Sequence, residues 1–342
     1  MTLEEFLDTW HSPSETLLVH TSGSTGTPKP MLVEKRRMLN SAKITCDFLG
    51  LKPGDAALLC MSLDYIAGKM MVVRSIERSL KLISVKPSGH PLSAESLKNA
   101  NDAAWKQGIT FAAMVPMQVY NTLQVPEERE RLTHIKHLII GGGAIDSALE
   151  AELRSLSGDI AIWSTYGMTE TLSHIALRRI NGKEASEWYQ PFDSVKVSQT
   201  EEGCLVIDAP LVCKQPLVTN DIVEIQPYIY NKVCAEGVRF RIKGRKDNVI
   251  CSGGIKIQIE EVENLLNPHL QKPFMLAKKK DEKFGEIAVL LTEDGDLKKV
   301  EATVRRLLSD NSKKYWIPRE YIHVESLPLT ETGKPKRACL LR

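Results

Sequence analysis

No stretch of this 342-residue sequence holds the run of about 18 apolar residues that a membrane-spanning helix requires, which excludes that class. The N-terminal segment carries Glu4, Glu5 and Asp8 and has no apolar centre, so it is not a secretory signal peptide. The net charge of +2, from 45 basic and 43 acidic residues, is too small to recruit nucleic acid or an anionic membrane. The seven cysteines (Cys46, Cys60, Cys204, Cys213, Cys234, Cys251 and Cys339) contain no Cys-x-x-Cys pair and no histidine at ligand spacing. They read as reduced thiols of a cytoplasmic protein. A Gly-x-Ser-x-Gly elbow is also missing, so nothing in the sequence offers that kind of serine nucleophile.

What is present is globular. Hydrophobic residues make up 42% and charged residues 26%, and the length allows two or three domains with a sizeable core. The most informative stretch is TSGSTGTPKP, residues 21–30, placed between an apolar run (17–19) and a helical pattern (34–48). Gly23 and Gly26 let the backbone bend close to an oxyanion. Thr21, Ser22, Ser24 and Thr25 supply hydroxyls, and Lys29 supplies a mobile positive charge. The stretch is not of the Walker form, since no Gly-Lys-Ser/Thr closes it. A Ser/Gly/Pro-rich surface turn would have the same composition.

From residue 55 to 140 short apolar runs alternate with amphipathic segments: 56–60 then 67–78, 82–85 then 93–106, 111–115 then 116–123. That order predicts βαβ units on a largely parallel sheet. The run 137–140 ends at Gly141, Gly142 and Gly143, followed by Ala144 and a helix with Asp146 near its start. These glycines permit either close approach to a flat ligand or a tight strand-to-helix turn. The run 160–163 delivers STYGMTET, in which Tyr166 offers an aromatic face, Gly167 a bend, Thr169 a hydroxyl and Glu170 a carboxylate suited to a divalent cation beside phosphates. Read by itself, the same stretch is a turn with a capping residue. Residues 176–225 read as a small β-rich part, and 247–342 as a compact α+β unit. The expected class is therefore α/β: an N-terminal domain, 1–246, of parallel βαβ sheet plus a small β-rich subdomain, and a small mobile C-terminal α+β domain, 247–342. The triplet Lys278, Lys279 and Lys280 reads as a solvated edge.

Taken in order, TSGSTGTPKP, YGMTET, TND (219–221), GRKDNVICSGGIKI (244–257) and PLTETGK (328–334) resemble the motifs of the adenylate-forming superfamily of acyl-CoA synthetases, peptide-synthetase adenylation domains and luciferases. The resemblance covers residues 15–342. It implies ATP, Mg²⁺ and coenzyme A as cofactors and a small-molecule carboxylic acid as substrate, and it is compatible with a homo-oligomer. On the same basis residues 22–29 wrap the β- and γ-phosphates of ATP. Gly142, Gly143, Ala144 and Tyr166 flank the adenine, Thr169 contacts the α-phosphate and Glu170 holds magnesium. Asp221 takes the ribose hydroxyls with support from Arg245, and Asp247 is the hinge of the small domain. Ser252, Gly253 and Gly254 line the pantetheine tunnel, and Lys334 bridges carboxylate and α-phosphate. The segment SLDYIAGKMMVVR (62–74) resembles the substrate-pocket segment of the subgroup that acts on 2-succinylbenzoate in menaquinone synthesis, which makes Tyr65 and Arg74 candidate acyl-pocket residues. Arg74 either pairs with Glu77 one helical turn on or turns inward to a ligand anion.

The chain departs from the family pattern at several points. Usual members carry a much longer segment before the phosphate loop, so much of the first subdomain is expected to be missing. Pro30 stands where glycine is usual, Tyr65 where histidine is frequent, and Asn220 replaces the glycine of TGD, where its tolerance of positive φ would keep the turn. Three readings follow: an acyl-CoA ligase, an adenylation domain serving a carrier protein, and a nucleotide-binding module without catalysis. Keeping both Glu170 and Lys334 favours the enzymes over the third.

Overall fold

The structure, a computed structural model, describes residues 1–20, 30–101, 103–156, 158–230, 235–309, 313–329 and 337. The chain divides into two units. The first is Met1–Val197 with Ile207–Leu217 and Gln226–Phe240, and the second is Ser198–Val206, Val218–Ile225 and Arg241–Arg342.

The first unit begins with helix α1 (Leu3–His11), started by a capping box in which Thr2 and Glu5 satisfy each other's backbone NH groups. Strands β1 (Thr16–His20) and β2 (Pro30–Glu34) then pair antiparallel, with Leu18 opposite Leu32. This corrects the expected strand-to-helix setting of the glycine-rich stretch. Residues 31–33, Met-Leu-Val, to which the sequence assigns no element, lie within the second strand of the pair, and helix α2 (Lys35–Leu49) starts only after it. Helix α2 buries Met38, Ala42, Cys46 and Leu49 at helical spacing and ends at Gly50, whose φ of +64° suits glycine.

The parallel sheet follows from β3 (Ala56–Leu59), α3 (Ile66–Arg78), β4 (Lys81–Ser84), α4 (Ala94–Lys98), β5 (Phe111–Met114), α5 (Pro116–Leu123), α6 (Pro126–Thr133), β6 (His137–Ile140), α7 (Ser147–Ser155) and β7 (Ala161–Gly167). Strands β8 (His174–Arg179) and β9 (Gln190–Pro191) add antiparallel to it, giving the order β4-β3-β5-β6-β7-β8-β9. All four residues of β3 and of β5 are buried, as expected for strands covered on both faces. Leu58, Ile83, Ala112, Leu138 and Ile162 form the core with Leu97, Leu123 and Leu153 from the helices. The helix expected over 93–106 is cut short at Lys98. Asn101 instead uses its side-chain amide to bond the backbone of Ser84 and Leu82, continuing the edge of β4 where a helix would have run.

Strands β10 (Lys196–Gln199), β11 (Cys204–Asp208), β12 (Leu217–Tyr230) and β13 (Ala235–Arg245) form a four-stranded sheet in that order, and the division into units runs through these strands. Beyond them the second unit holds β14 (Val249–Ser252), β15 (Ile255–Gln258), α8 (Ile259–Leu266), β16 (Phe274–Asp281), β17 (Gly285–Thr292), α9 (Leu297–Leu307) and β18 (Glu320–His323). Its sheet runs β15-β14-β17-β16 with β18 parallel to β17, and Ile257, Val262, Leu276, Leu290 and Val304 fill its core. This is an α+β arrangement. Lys279 pairs with Glu320 at 2.8 Å, and Lys278 approaches Glu286 at 3.6 Å. Among the described residues, no helix is long and apolar enough to cross a membrane.

Candidate functional site

In the first unit the candidate residues gather at the carboxyl ends of parallel strands, where open α/β sheets place their ligands. Gly141 follows β6 directly, and a Cβ there would run into the hydroxyl of Thr165 on β7. Gly142 has φ of +82° with Val115 against it, and a Cβ on Gly143 would touch the ring of Pro116 at the start of α5. Local sterics therefore demand glycine at 141 and 142, while Gly143 has room for a Cβ, and helix α7 behind them is capped by Asp146. After β3, the loop carrying Tyr65 is clamped at the start of α3. Gly68 leaves no room for a side chain against the Ser62 carbonyl, and the buried Lys69 ammonium donates to the carbonyl of Leu63 at 2.6 Å. Tyr65 itself is 43% exposed. A cleft of about 320 Å³ at the ends of β3 and β4, lined by Leu59, Met61, Ser84 and Lys86 among others, holds none of the predicted residues.

The turn after β7 is built from its own side chains. Tyr166 is buried edge-on against Phe240 at 5.1 Å. Pairing with β8 slips between Tyr166 and Gly167, where a Cβ would collide with the backbone of Ser173 and His174. Thr171 accepts from the Met168 NH at 2.9 Å and donates to the Ser173 carbonyl at 2.7 Å. Leu172, buried, holds φ of +64°, a conformation that costs a non-glycine residue about 1–3 kcal/mol and that clusters at functional sites. Thr169 is buried, whereas Glu170 is exposed and paired with no described cation. Its carbonyl is held by the Cys213 thiol at 3.5 Å, and Cys213 is in turn fixed through its own carbonyl by Arg37 at 2.8 Å. A single free carboxylate fits magnesium, which takes one or two carboxylates and completes its shell with substrate phosphates and water.

Arg74 points inward. Glu77 pairs with Arg78 at 3.3 Å, and the Arg74 side chain, 2% exposed, donates to Ser173 Oγ at 2.5 Å. Among the described residues its Nε has no partner and no carboxylate lies within ion-pair distance. Burial pulls the guanidinium down to about 10, which leaves it charged at neutral pH. An uncompensated buried charge is costly enough that it calls for an anion. Ser173 and His174, which the motifs do not single out, complete this cluster. His174 lies between Ser173 Oγ at 3.3 Å and Thr45 Oγ1 at 3.0 Å, and Thr45 donates to the Ser41 carbonyl. The signal in the sequence is two polar residues opening an apolar strand, faced by Ser41 and Thr45 on the otherwise apolar side of α2.

Burial, then the charge of Arg74, drives His174 well below the ordinary histidine range, and burial takes His137 down to about 4. Each stays neutral when folded and protonates when unfolded, so the stability this contributes is present above pH 6.5 and is lost as the pH falls from there toward the folded value. Denaturation midpoints should therefore drop steadily from pH 6.5 to 5, and His174→Asn should flatten that slope. A slope unchanged by the substitution would show that His174 does not contribute to it.

In the second unit Arg245 lies 3.6 Å from Asp221 and 3.2 Å from Asp247, and Asn220 donates to Asp247 at 3.1 Å. Asn220 sits inside β12 without positive φ, so it does not keep a turn. Its side chain instead ties the strand to Asp247. Asp247 occupies the 3₁₀ turn Lys246–Asn248. Ser252 ends β14, and Gly253 and Gly254, with φ of +55° and +84°, make the two-residue hairpin turn to β15. The stretch 21–29, with Ser22, Gly23 and Lys29, and Lys334 lie outside the described residues. Arg337 pairs with Glu263 of α8 at 2.7 Å.

Residues 8–208 match the AMP-binding enzyme family, and the chain belongs to it. A solved acyl-CoA synthetase (AMP-forming)/AMP-acid ligase II-like protein from Dyadobacter fermentans DSM 18053 is 31% identical, with 98% of this chain and 91% of that chain aligned and a TM-score of 0.61. The 2-succinylbenzoate–CoA ligase of Bacillus mycoides (strain KBAB4) is 23% identical over 97% of this chain and 71% of its own length. A plipastatin synthase polypeptide of Bacillus subtilis (strain 168) is 25% identical over 94% of this chain, which spans only 13% of that much longer protein.

Proposed function

We propose that the chain activates a carboxylic acid with ATP to an acyl-adenylate and then passes the acyl group to coenzyme A, with 2-succinylbenzoate as the acid. The observation that carries this is the contact of Arg74 with Ser173. It joins a buried, anion-seeking guanidinium to the turn that presents Thr169 and Glu170. In the first step a carboxylate oxygen of the acid attacks the α-phosphorus, and the bond to the bridging oxygen breaks to release pyrophosphate. In the second the thiolate of coenzyme A attacks the acyl carbon, and AMP leaves. Magnesium supplies charge neutralisation of the phosphates.

In this reading Glu170 holds the metal and Thr169 contacts the α-phosphate. Tyr166 and the Gly142-Gly143-Ala144 turn flank the base, Asp221 and Arg245 take the ribose end, and the stretch 22–29 wraps the terminal phosphates. No protein nucleophile is needed, because the mixed anhydride already carries a good leaving group. The relatedness to a 2-succinylbenzoate–CoA ligase supports the acid, and the relatedness to a peptide synthetase keeps a carrier-protein thiol as the alternative acceptor.

Pyrophosphate release with a panel of acids, with coenzyme A or a carrier protein as acceptor, tests this reading. Turnover with 2-succinylbenzoate and coenzyme A is expected. Release that needs a carrier protein would reassign the acceptor, and no release with any acid would leave a nucleotide-binding module. Asp247 is the proposed pivot between the two steps. Asp247→Pro fixes φ near −65° and removes an NH, so one half-reaction should fail while the other survives. Unchanged kinetics in both steps would reduce Asp247 to a polar linker residue.

A further inference from the structure

We propose that Ser173 and His174 are positioning residues that aim Arg74 and thereby set the preference for an acid with a second carboxylate. The inference rests on the substrate reading above. A guanidinium presents its donors in a rigid planar fork, so its orientation decides which carboxylate it can grip. Around Arg74 the described groups that can fix that orientation are few. Met71 Sδ lies 3.8 Å from Nη1, a weak contact, and Ser173 Oγ lies 2.5 Å from Nη2.

A serine hydroxyl has one hydrogen, and Ser173 can accept from Arg74 only if that hydrogen points elsewhere. His174 supplies the direction. Thr45 spends its own hydrogen on the Ser41 carbonyl at 3.1 Å, so the imidazole must donate to Thr45 through Nε2. That leaves Nδ1 unprotonated and able to take the Ser173 hydrogen at 3.3 Å. Every hydrogen in the chain from Arg74 through Ser173, His174 and Thr45 to Ser41 then has one acceptor, and the order runs in one direction. The neutral state of His174 that this requires agrees with its burial beside Arg74. The fork is thus pinned at Nη2, while among the described residues Nε has no partner and Nη1 meets only a thioether, which leaves those donors for a ligand anion.

Three variants test this in the intact chain: Ser173→Ala, His174→Leu and His174→Asn. For each, kcat and KM are measured for 2-succinylbenzoate and for benzoate by pyrophosphate release. Ser173→Ala and His174→Leu should lower the ratio of kcat/KM for the two acids by about 10-fold or more, chiefly through KM for 2-succinylbenzoate, as expected when a hydrogen bond to a charged group is weakened. His174→Asn, whose amide oxygen can replace Nδ1 as acceptor, should recover most of the ratio lost in His174→Leu. Should His174→Leu fail to fold, Ser173→Ala and His174→Asn still decide the matter. Equal losses for both acids in Ser173→Ala, or a His174→Asn ratio as low as that of His174→Leu, overturn the positioning role. A wild-type chain that turns over without preferring 2-succinylbenzoate overturns the substrate reading and this inference together. A wild-type preference that Ser173→Ala leaves intact overturns only this inference.

Discussion

Lys334→Ala is expected to slow acyl-adenylate formation by about 10²- to 10³-fold, the usual effect of removing one preorganised charge from a site where charge develops. Two anions, a carboxylate and a triphosphate, must be pressed together before the acid can attack the α-phosphorus. Their repulsion has to be offset by cations, and in the proposed site these are magnesium at Glu170 and the ammonium of Lys334. The second half-reaction, thiol attack on a mixed anhydride, does not bring a carboxylate against a triphosphate and should not need that ammonium. Single-turnover measurements therefore separate the two steps. With acyl-AMP supplied, transfer to coenzyme A by Lys334→Ala should stay close to the wild-type rate, and equal losses in both steps would sink the division of labour.

Arg74→Ala should cost about 1.5–3 kcal/mol in kcat/KM for 2-succinylbenzoate, as for a hydrogen bond to a charged group. Benzoate, which offers no second carboxylate, should be affected far less, and the affinity for ATP should not change. The structure raises the stakes of this experiment, because Arg74 is a buried cation without a described counter-charge. Alanine removes that burden, so the variant should be no less resistant to thermal unfolding than its lost packing and its lost bond to Ser173 dictate. A wild-type preference for plain benzoate or a fatty acid would rule out the 2-succinylbenzoate assignment and leave the general ligase reading in place.

The parallel sheet was legible because fully buried strands read as unbroken apolar runs and their crossover helices as amphipathic ones. The hairpin of β1 and β2 was not legible. Met31, Leu32 and Val33 sit next to a strong helical pattern, and nothing local says that they pair with a strand on the far side of the glycine-rich stretch. Asn101 defeated the helix expected over 93–106 for a related reason: it bonds to β4, a partner distant in sequence that propensity cannot see. At the candidate site, chemistry-bearing residues inside distinctive motifs, such as Thr169, Glu170 and Asp221, could be named from the chain alone. Ser173, His174 and Thr45 could not, since their significance lies in a hydrogen-bond chain assembled from α2, α3 and the start of β8. Arg74 falls in between. Its place in an apolar segment was visible, but the choice between Glu77 and an inward turn needed coordinates.

The two halves of this cluster differ in how far the chain must travel to make them. The turn bearing Thr169 and Glu170 closes between adjacent antiparallel strands, from Gly167 to His174, a short loop that costs little entropy and can form early in folding. The grip of Ser173 on Arg74 spans 99 residues, and that of His174 on Thr45 spans 129, so both wait for α2 and α3 to dock. On the proposed reading, a partly folded or locally opened chain would hold the turn that carries Thr169 and Glu170 before it holds the contacts proposed to choose the acid, and loosening of α2 and α3 would be expected to cost selectivity before it costs that turn.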